Sequence, residues 1–334
     1  MNRILFCTTL TVAAASPLVL RAQDLPADPN RFSFGPTFGL NYKAEFNNRT
    51  AFYNNVNPGA ATGGANHNYN DGYVLVDSSG NAGGLTGNFG YRNPSQVVGD
   101  TLQFHAIHTQ NSSSTTGDPQ FGAELIYQRV LGAVHFLHGN WGLETGLGVT
   151  EIDLRENLSG TVPVLTDTYQ LNGIIPPGAG YNGTFNGPGA LIGDAPTRTT
   201  TAAALSGYHK LSGQLINLRF GPFVEWNLTC RLSLAVSAGL SLAPTMLDYD
   251  FSETVTLPGG GGTYAARGHS SKNELLYGPY AGATLRYDFN RHWGVYIGVR
   301  FQNLTDMDQS VGSRTARFDA GLSVNATAGL SWKF

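Results

Sequence analysis

The chain has 334 residues, of which 13% are charged against ~25% in ordinary soluble domains, and its 43 glycines are about twice the usual ~7%. Its 20 Lys and Arg against 23 Asp and Glu give a net charge of −3 with no basic block, so the electrostatic footprint of a nucleic-acid binder is missing. An apolar fraction of 41% is too high for an acidic disordered chain, and the length fits either two ordinary domains or one large β-barrel.

Residues 1–22 start with Arg3, continue through the apolar run from Ile4 to Leu20, and reach a small residue at Ala22. That order predicts an export signal, with cleavage after Ala22 or, because Leu20 is bulky, after Ala15. Cys7 would leave with it. Cys230, in a predicted tight turn, would then be the one cysteine left, so no internal disulfide is expected.

From residue 31 to 46 every even position is apolar, from Phe32 to Phe46, and the odd positions from Ser33 to Glu45 are small or polar. Period two predicts a strand with one apolar and one polar face. Seven further segments repeat the pattern, at about 120–136, 141–156, 210–228, 231–251, 273–289, 292–306 and 317–334. The joins alternate between short turns near residues 138–140, 229–230 and 290–291 and long loops at about 47–119, 157–209, 252–272 and 307–314. Short turns on one rim and long loops on the other predict an all-β fold, an eight-stranded antiparallel transmembrane β-barrel over residues 23–334 with its loops extracellular.

Tryptophan gives an independent check, because aromatic side chains gather where hydrocarbon meets headgroups. Trp141, Trp226, Trp293 and Trp332 all fall at the short-turn rim and share the apolar parity of their strands. The polar parity carries Lys43, Arg219, Arg286, Arg300, Arg317 and Lys333 with Glu45, Glu124, Glu144, Glu225, Asp288 and Asp319. An eight-stranded barrel is barely wide enough for its own side chains, so these charges are expected to pair inside and plug the lumen.

At this point the chain resembles the small outer-membrane β-barrel proteins of Gram-negative bacteria, the OmpA/OmpX-like class. Its last strand, with Leu330 and Trp332 before a terminal Phe334, is similar to the signal that the barrel-assembly machinery reads in that class. The resemblance implies outer-membrane lipid and that machinery as partners, with no cofactor. Its members range over inert anchors, adhesins, channels and lipid-modifying enzymes, so the fold does not decide the activity. Residues 71–91, inside the first loop, are similar to a stretch of outer-membrane proteins of unassigned role, and residues 73–76 and 101–108 are expected to form short strands there.

Several side chains suggest chemistry. The pairs His105 and His108, and His135 and His138, have a spacing that serves a metal on a helix, but on extended backbone it points them to opposite faces, so no metal site is expected. The glycine run 259–262 lacks the Lys-Ser or Lys-Thr of a phosphate loop. His269-Ser270-Ser271 resembles the active pair of outer-membrane lipid A deacylases, which would cast His269 as base and Ser271 as nucleophile. The nearest acid in sequence, Glu274, has the opposite parity, leaving the base without an orienting group. The expectation is therefore a non-enzymatic barrel with a plugged lumen, for surface binding or envelope integrity. A narrow porin-like channel and a lipid-directed hydrolase are the alternatives.

Overall fold

The structure, a computed structural model, describes residues 28–48, 56–81, 83–107, 111–117, 119–134, 139–257 and 262–334. The expected export signal, Cys7, His108, His135, His138 and most of the glycine run lie outside the described residues.

Eight antiparallel strands form a closed ring: β1 Asn30–Leu40, β2 Gln120–Val134, β3 Gly139–Gln170, β4 Thr197–Asn227, β5 Leu232–Thr256, β6 Thr263–Asp288, β7 Trp293–Asn303 and β8 Leu322–Lys333. Closure comes from β1, which pairs with β2 on one side and β8 on the other. A closed ring satisfies its backbone donors and acceptors internally, as hydrocarbon requires. Glycine permits the tightest approach: a Cβ on Gly35 would lie 2.8 Å from the Cα of Gly329 across the β1/β8 pair, and the reverse is equally close.

The pleat then sorts the side chains. Phe34, Phe121, Leu147, Phe220, Leu240, Tyr277, Ile297 and Leu330 stand exposed around the outer wall, one or more from every strand. Such a belt is intolerable in water over this area and is what a bilayer covers.

Four of the strands overshoot the belt. The β3/β4 ladder continues to Thr168↔Thr197 and the β5/β6 ladder to Thr256↔Thr263, so most of the expected loops at 157–209 and 252–272 is strand. The expected loop at 307–314 is largely a hairpin of Met307–Val311 and Arg314–Asp319, which joins Lys43–Asn48 and Asn111–Thr116 in a four-stranded sheet. The long first loop is also ordered. Thr101–Ile107 pairs with the upper part of β3, and His67–Tyr69, Gly72–Val74 and Phe89–Tyr91 form a small sheet beside it.

One long strand over 31–46 is replaced by two, because Asn41 adopts a left-handed φ of 65° and breaks the ladder. Asparagine tolerates that conformation better than most residues. The break reverses the meaning of the alternation. Even residues of β1 face lipid, whereas Tyr42, Ala44 and Phe46 are buried in an apolar core above the barrel. The same exchange occurs at Ala320 and Gly321, below which even residues face lipid and above which Ala316 and Phe318 join that core. Ile152 and Leu154 of β3, Leu211 and Leu215 of β4 and Leu247, Tyr249 and Phe251 of β5 complete it, so an apolar layer sits over the mouth of the lumen.

Candidate functional site

The lumen holds a chain of paired charges with a group of amides above it. Arg31 donates to both oxygens of Glu225 at 3.1 Å, and the fully buried Arg286 lies 3.6 Å from the same carboxylate. Arg286 also donates to Gln128, and Gln128 to Glu144. Arg219 Nε donates to Glu144 at 3.2 Å while its guanidinium meets Glu124, whose same oxygen Arg300 also contacts. Above these, Asn217 donates to Gln302 at 2.7 Å, Gln302 to Tyr42, and Tyr42 to Asn325. Space is made by glycine: a Cβ on Gly146 would stand 2.6 Å from Arg219 Cζ. The space left among Glu124, Glu144, Arg219 and Arg300 is about 20 Å³, room for about one water.

Eight of the twelve charges assigned to the interior from sequence lie there. Glu124, Glu144, Glu225, Arg219, Arg286 and Arg300 form the centre, and Lys333 meets Asp288 at the short-turn rim. The other four need correction. Lys43, Glu45, Arg317 and Asp319 sit on the four-stranded sheet above the barrel, Lys43 opposite Asp319 and Glu45 opposite Arg317, and Arg317 pairs with Asp306. The reversal at Asn41 and at Ala320–Gly321 turned them outward. Arg31, Gln128 and the upper amides were missed, although their inward parity was readable in the sequence.

At the short-turn rim, Trp293 and Trp332 pack with ring centroids 6.4 Å apart and Trp332 stacks on Phe334 at 4.7 Å. Trp141 is paired across the β3/β4 ladder with Val224, two residues from Trp226. All four lie within the first three residues of the barrel strands at that rim.

The head above the barrel is held by buried polar knots. Arg198 grips Asp167 with two bonds, at 2.7 and 2.6 Å, and the carbonyls of Pro58 and Gly59 with its remaining donors; Tyr69 also donates to Asp167. His105, one of the histidines whose spacing would serve a metal on a helix, is bound to Asp71, through its backbone N–H at 2.9 Å and its ring at 2.7 Å. No group of three or more His, Cys, Asp or Glu side chains with metal-binding geometry occurs among the described residues. Cys230 is exposed in its turn.

A third knot joins Glu253 of β5 to His209 of β4, at 3.1 Å, and to Arg314 of the four-stranded sheet, whose guanidinium lies over the Phe251 ring. Burial alone would raise the Glu253 carboxyl, but the bonds from His209 and Arg314 outweigh it and hold it below the ordinary 4.5. A depressed carboxylate stabilises the fold above its unfolded value, and the contribution is lost as pH falls through the folded value. Acid should therefore loosen the head, and Glu253→Gln should remove that part of the pH dependence. Protease cutting of the head followed from pH 6 to 3 checks this.

On the outer wall, just above the lipid-facing belt, lies a second group of titratable side chains. His269 Nδ1 is 2.8 Å from Asp250 Oδ1, Ser271 Oγ is 3.3 Å from His269 Nε2, and the Ser271 hydroxyl also donates to Asp248. His269 and Ser271 are two apart on β6 and so share a face; Asp250 and Asp248 stand directly opposite them on β5. The expectation that His269 lacks an orienting acid is thereby corrected. The acid comes from the neighbouring strand, which distance along the chain from Glu274 could not reveal.

No protein-family model matches the sequence, and no curated protein matches it. Among solved structures, the attachment invasion locus protein Ail of Yersinia pestis, in complex with the heparin analogue sucrose octasulfate, is 8% identical, with 91% of this chain and 99% of that chain covered at a TM-score of 0.25. The outer membrane protease OmpT of Escherichia coli is 10% identical, with coverage of 92% and 97% and a TM-score of 0.32. A FadL homologue of Pseudomonas aeruginosa is 10% identical, with coverage of 92% and 90% and a TM-score of 0.19. At these scores the assignment of class rests on the chain's own geometry. The closed eight-stranded ring, its apolar outer belt and its tryptophan rim define a transmembrane β-barrel of the outer-membrane type. On the long-loop side it carries a β-rich head.

Proposed function

We propose that this barrel is a sealed pedestal: it conducts poorly and holds its head outside the cell for surface binding or envelope integrity. The observation that carries the reading is the Arg31–Glu225–Arg286–Gln128–Glu144–Arg219–Glu124–Arg300 chain across the lumen, with the apolar core above it. An ion entering would have to displace mutually paired charges and lose several kcal/mol of hydration. The channel alternative would favour inward charges of one sign at a constriction. Here four arginines interleave with three glutamates.

In a Gram-negative envelope the long-loop side is the cell surface and the short-turn side the periplasm. Leu330, Trp332 and Phe334 all point outward at the periplasmic end of β8, which supports their role as the assembly signal. The test is planar-bilayer conductance of the refolded protein. Near-zero conductance is expected, rising to discrete openings in Glu144→Ala or Arg286→Ala. A large steady conductance in the unmutated protein would establish a channel instead.

A further inference from the structure

We infer that the buried His67 is a proton-operated latch in the head: as imidazolium it pins the turn of residues 57–62 over the Asp167–Arg198 knot, and without its second ring proton it releases that turn. This goes beyond the pedestal, because it makes the surface that the head displays depend on the pH around it.

The ring sits between two acceptors. His67, in the short strand His67–Tyr69, is fully buried, and its Nδ1 meets the carbonyl oxygen of Pro58 while its Nε2 lies 3.3 Å from that of Thr62. A carbonyl oxygen accepts and never donates, so each ring nitrogen has to supply a proton. The neutral imidazole carries one N–H, and in either tautomer its remaining lone pair would point at a carbonyl oxygen. Only the imidazolium satisfies both. A Cβ on Gly59, which has a left-handed φ of 58°, would lie 3.6 Å from Nδ1, so the turn is folded directly against the ring.

The surroundings favour a second cation. The charged and titratable groups about the ring and its turn are Tyr69 on the same strand, Asp167 and Tyr169 of β3, Arg198 of β4, and Asp194, whose Oδ1 would stand 2.7 Å from a Cβ on Gly63. Arg198 donates at 2.9 Å to the same Pro58 carbonyl that meets Nδ1. Burial pushes both tyrosines up, so they stay neutral, and the bond with Asp167 pushes Arg198 up, so it stays charged. Two carboxylates therefore share one permanent cation, and the imidazolium brings the local charge to zero.

Little else holds the turn. Residues 59–64 are exposed and bury no side chain in the head. Among the described residues they are tied down by the backbone pair of Asn57 with Asn68, the Asn57 side chain on the Gly59 N–H, two bonds from Arg198 and the two from His67. A segment held by so few contacts opens locally at a small free energy, and one hydrogen bond from a charged donor shifts such an equilibrium about 10–100-fold. Because the closed turn favours the protonated ring, the latch holds on the acid side and is lost as pH rises. That sign is opposite to the Glu253 knot, which acid loosens.

The test is hydrogen exchange, read by mass spectrometry on the full-length barrel refolded in detergent micelles, at pH 5 and pH 8 with the intrinsic rates divided out. Amides of residues 59–64 are expected to exchange about 10–100-fold faster at the higher pH. His67→Gln, uncharged at both, should make them fast throughout and abolish the difference. His292→Gln, whose exposed ring meets the Lys333 carbonyl at the short-turn rim, should leave it in place. Heat-modifiable gel migration reports that each variant is folded. Nitrogen-15 histidine spectra of the unmutated protein give a reading that needs no variant to fold natively. His67 should carry protons on both ring nitrogens at pH 5 and lose one over the interval in which exchange accelerates. Exchange that does not change with pH in the unmutated protein overturns the latch, as does a pH dependence that survives His67→Gln or a singly protonated His67 ring at pH 5.

Discussion

Replacing Glu225 by alanine should cost about 3–5 kcal/mol, the largest effect expected of any single polar substitution in the barrel. Glu225 meets both Arg31 and Arg286, and all three are buried near the short-turn rim. Its loss leaves two buried guanidinium groups without the carboxylate they share, with Gln128 still accepting a bond from Arg286. The comparison that isolates this cause is Arg317→Ala. Its pair with Asp306 is half exposed, and solvent screening limits its worth to about 0–1 kcal/mol. Urea unfolding of both variants in lipid vesicles gives the two numbers. Similar losses would mean that the interior charges are hydrated rather than sealed.

These two residues were indistinguishable in the sequence, where Arg317 and Glu225 carry the same polar parity. What separated them is a phase shift. On β5 the apolar residues are even up to Met246 and odd from Leu247 through Tyr249, Phe251 and Val255. On β3 they change from odd at Leu147 and Val149 to even at Ile152 and Leu154, and on β4 from odd at Leu211 and Leu215 to even at Leu218 and Phe220. In the bilayer the apolar face must point outward, and in water it must point inward, so a shift of one residue in a continuous strand marks the membrane boundary. The eight strands, the ring and the short-turn tryptophans were legible because period two survives any context. The head was legible only in part: the short strands expected at 73–76 and 101–108 occur as Gly72–Val74 and Thr101–Ile107, but the rest read as loop until its partners were in place, and Asp250 could meet His269 only through the β5/β6 register.

The same boundary sets the size of substitutions on the lipid face. Ile297 is central in β7, strongly exposed, and flanked along the outer wall by Val295 and Val299. An arginine there must hold its charge near the bilayer midplane, which costs about 2–4 kcal/mol. Leu322, although equally exposed, is the first residue of β8, beside the reversal at Gly321 and level with Asn303 at the end of β7. An arginine at Leu322 can reach water or headgroups by extending its side chain, so its cost should fall to about 0–1 kcal/mol. Ser323→Thr, on the lumenal face, tests packing alone. Ile297→Arg should accordingly fold less completely into vesicles than Leu322→Arg, read as the heat-modifiable fraction against urea concentration. Equal losses at the two positions would place the bilayer at a different height on the barrel from the one that the parity shifts at Met246–Leu247 and between Val149 and Ile152 mark.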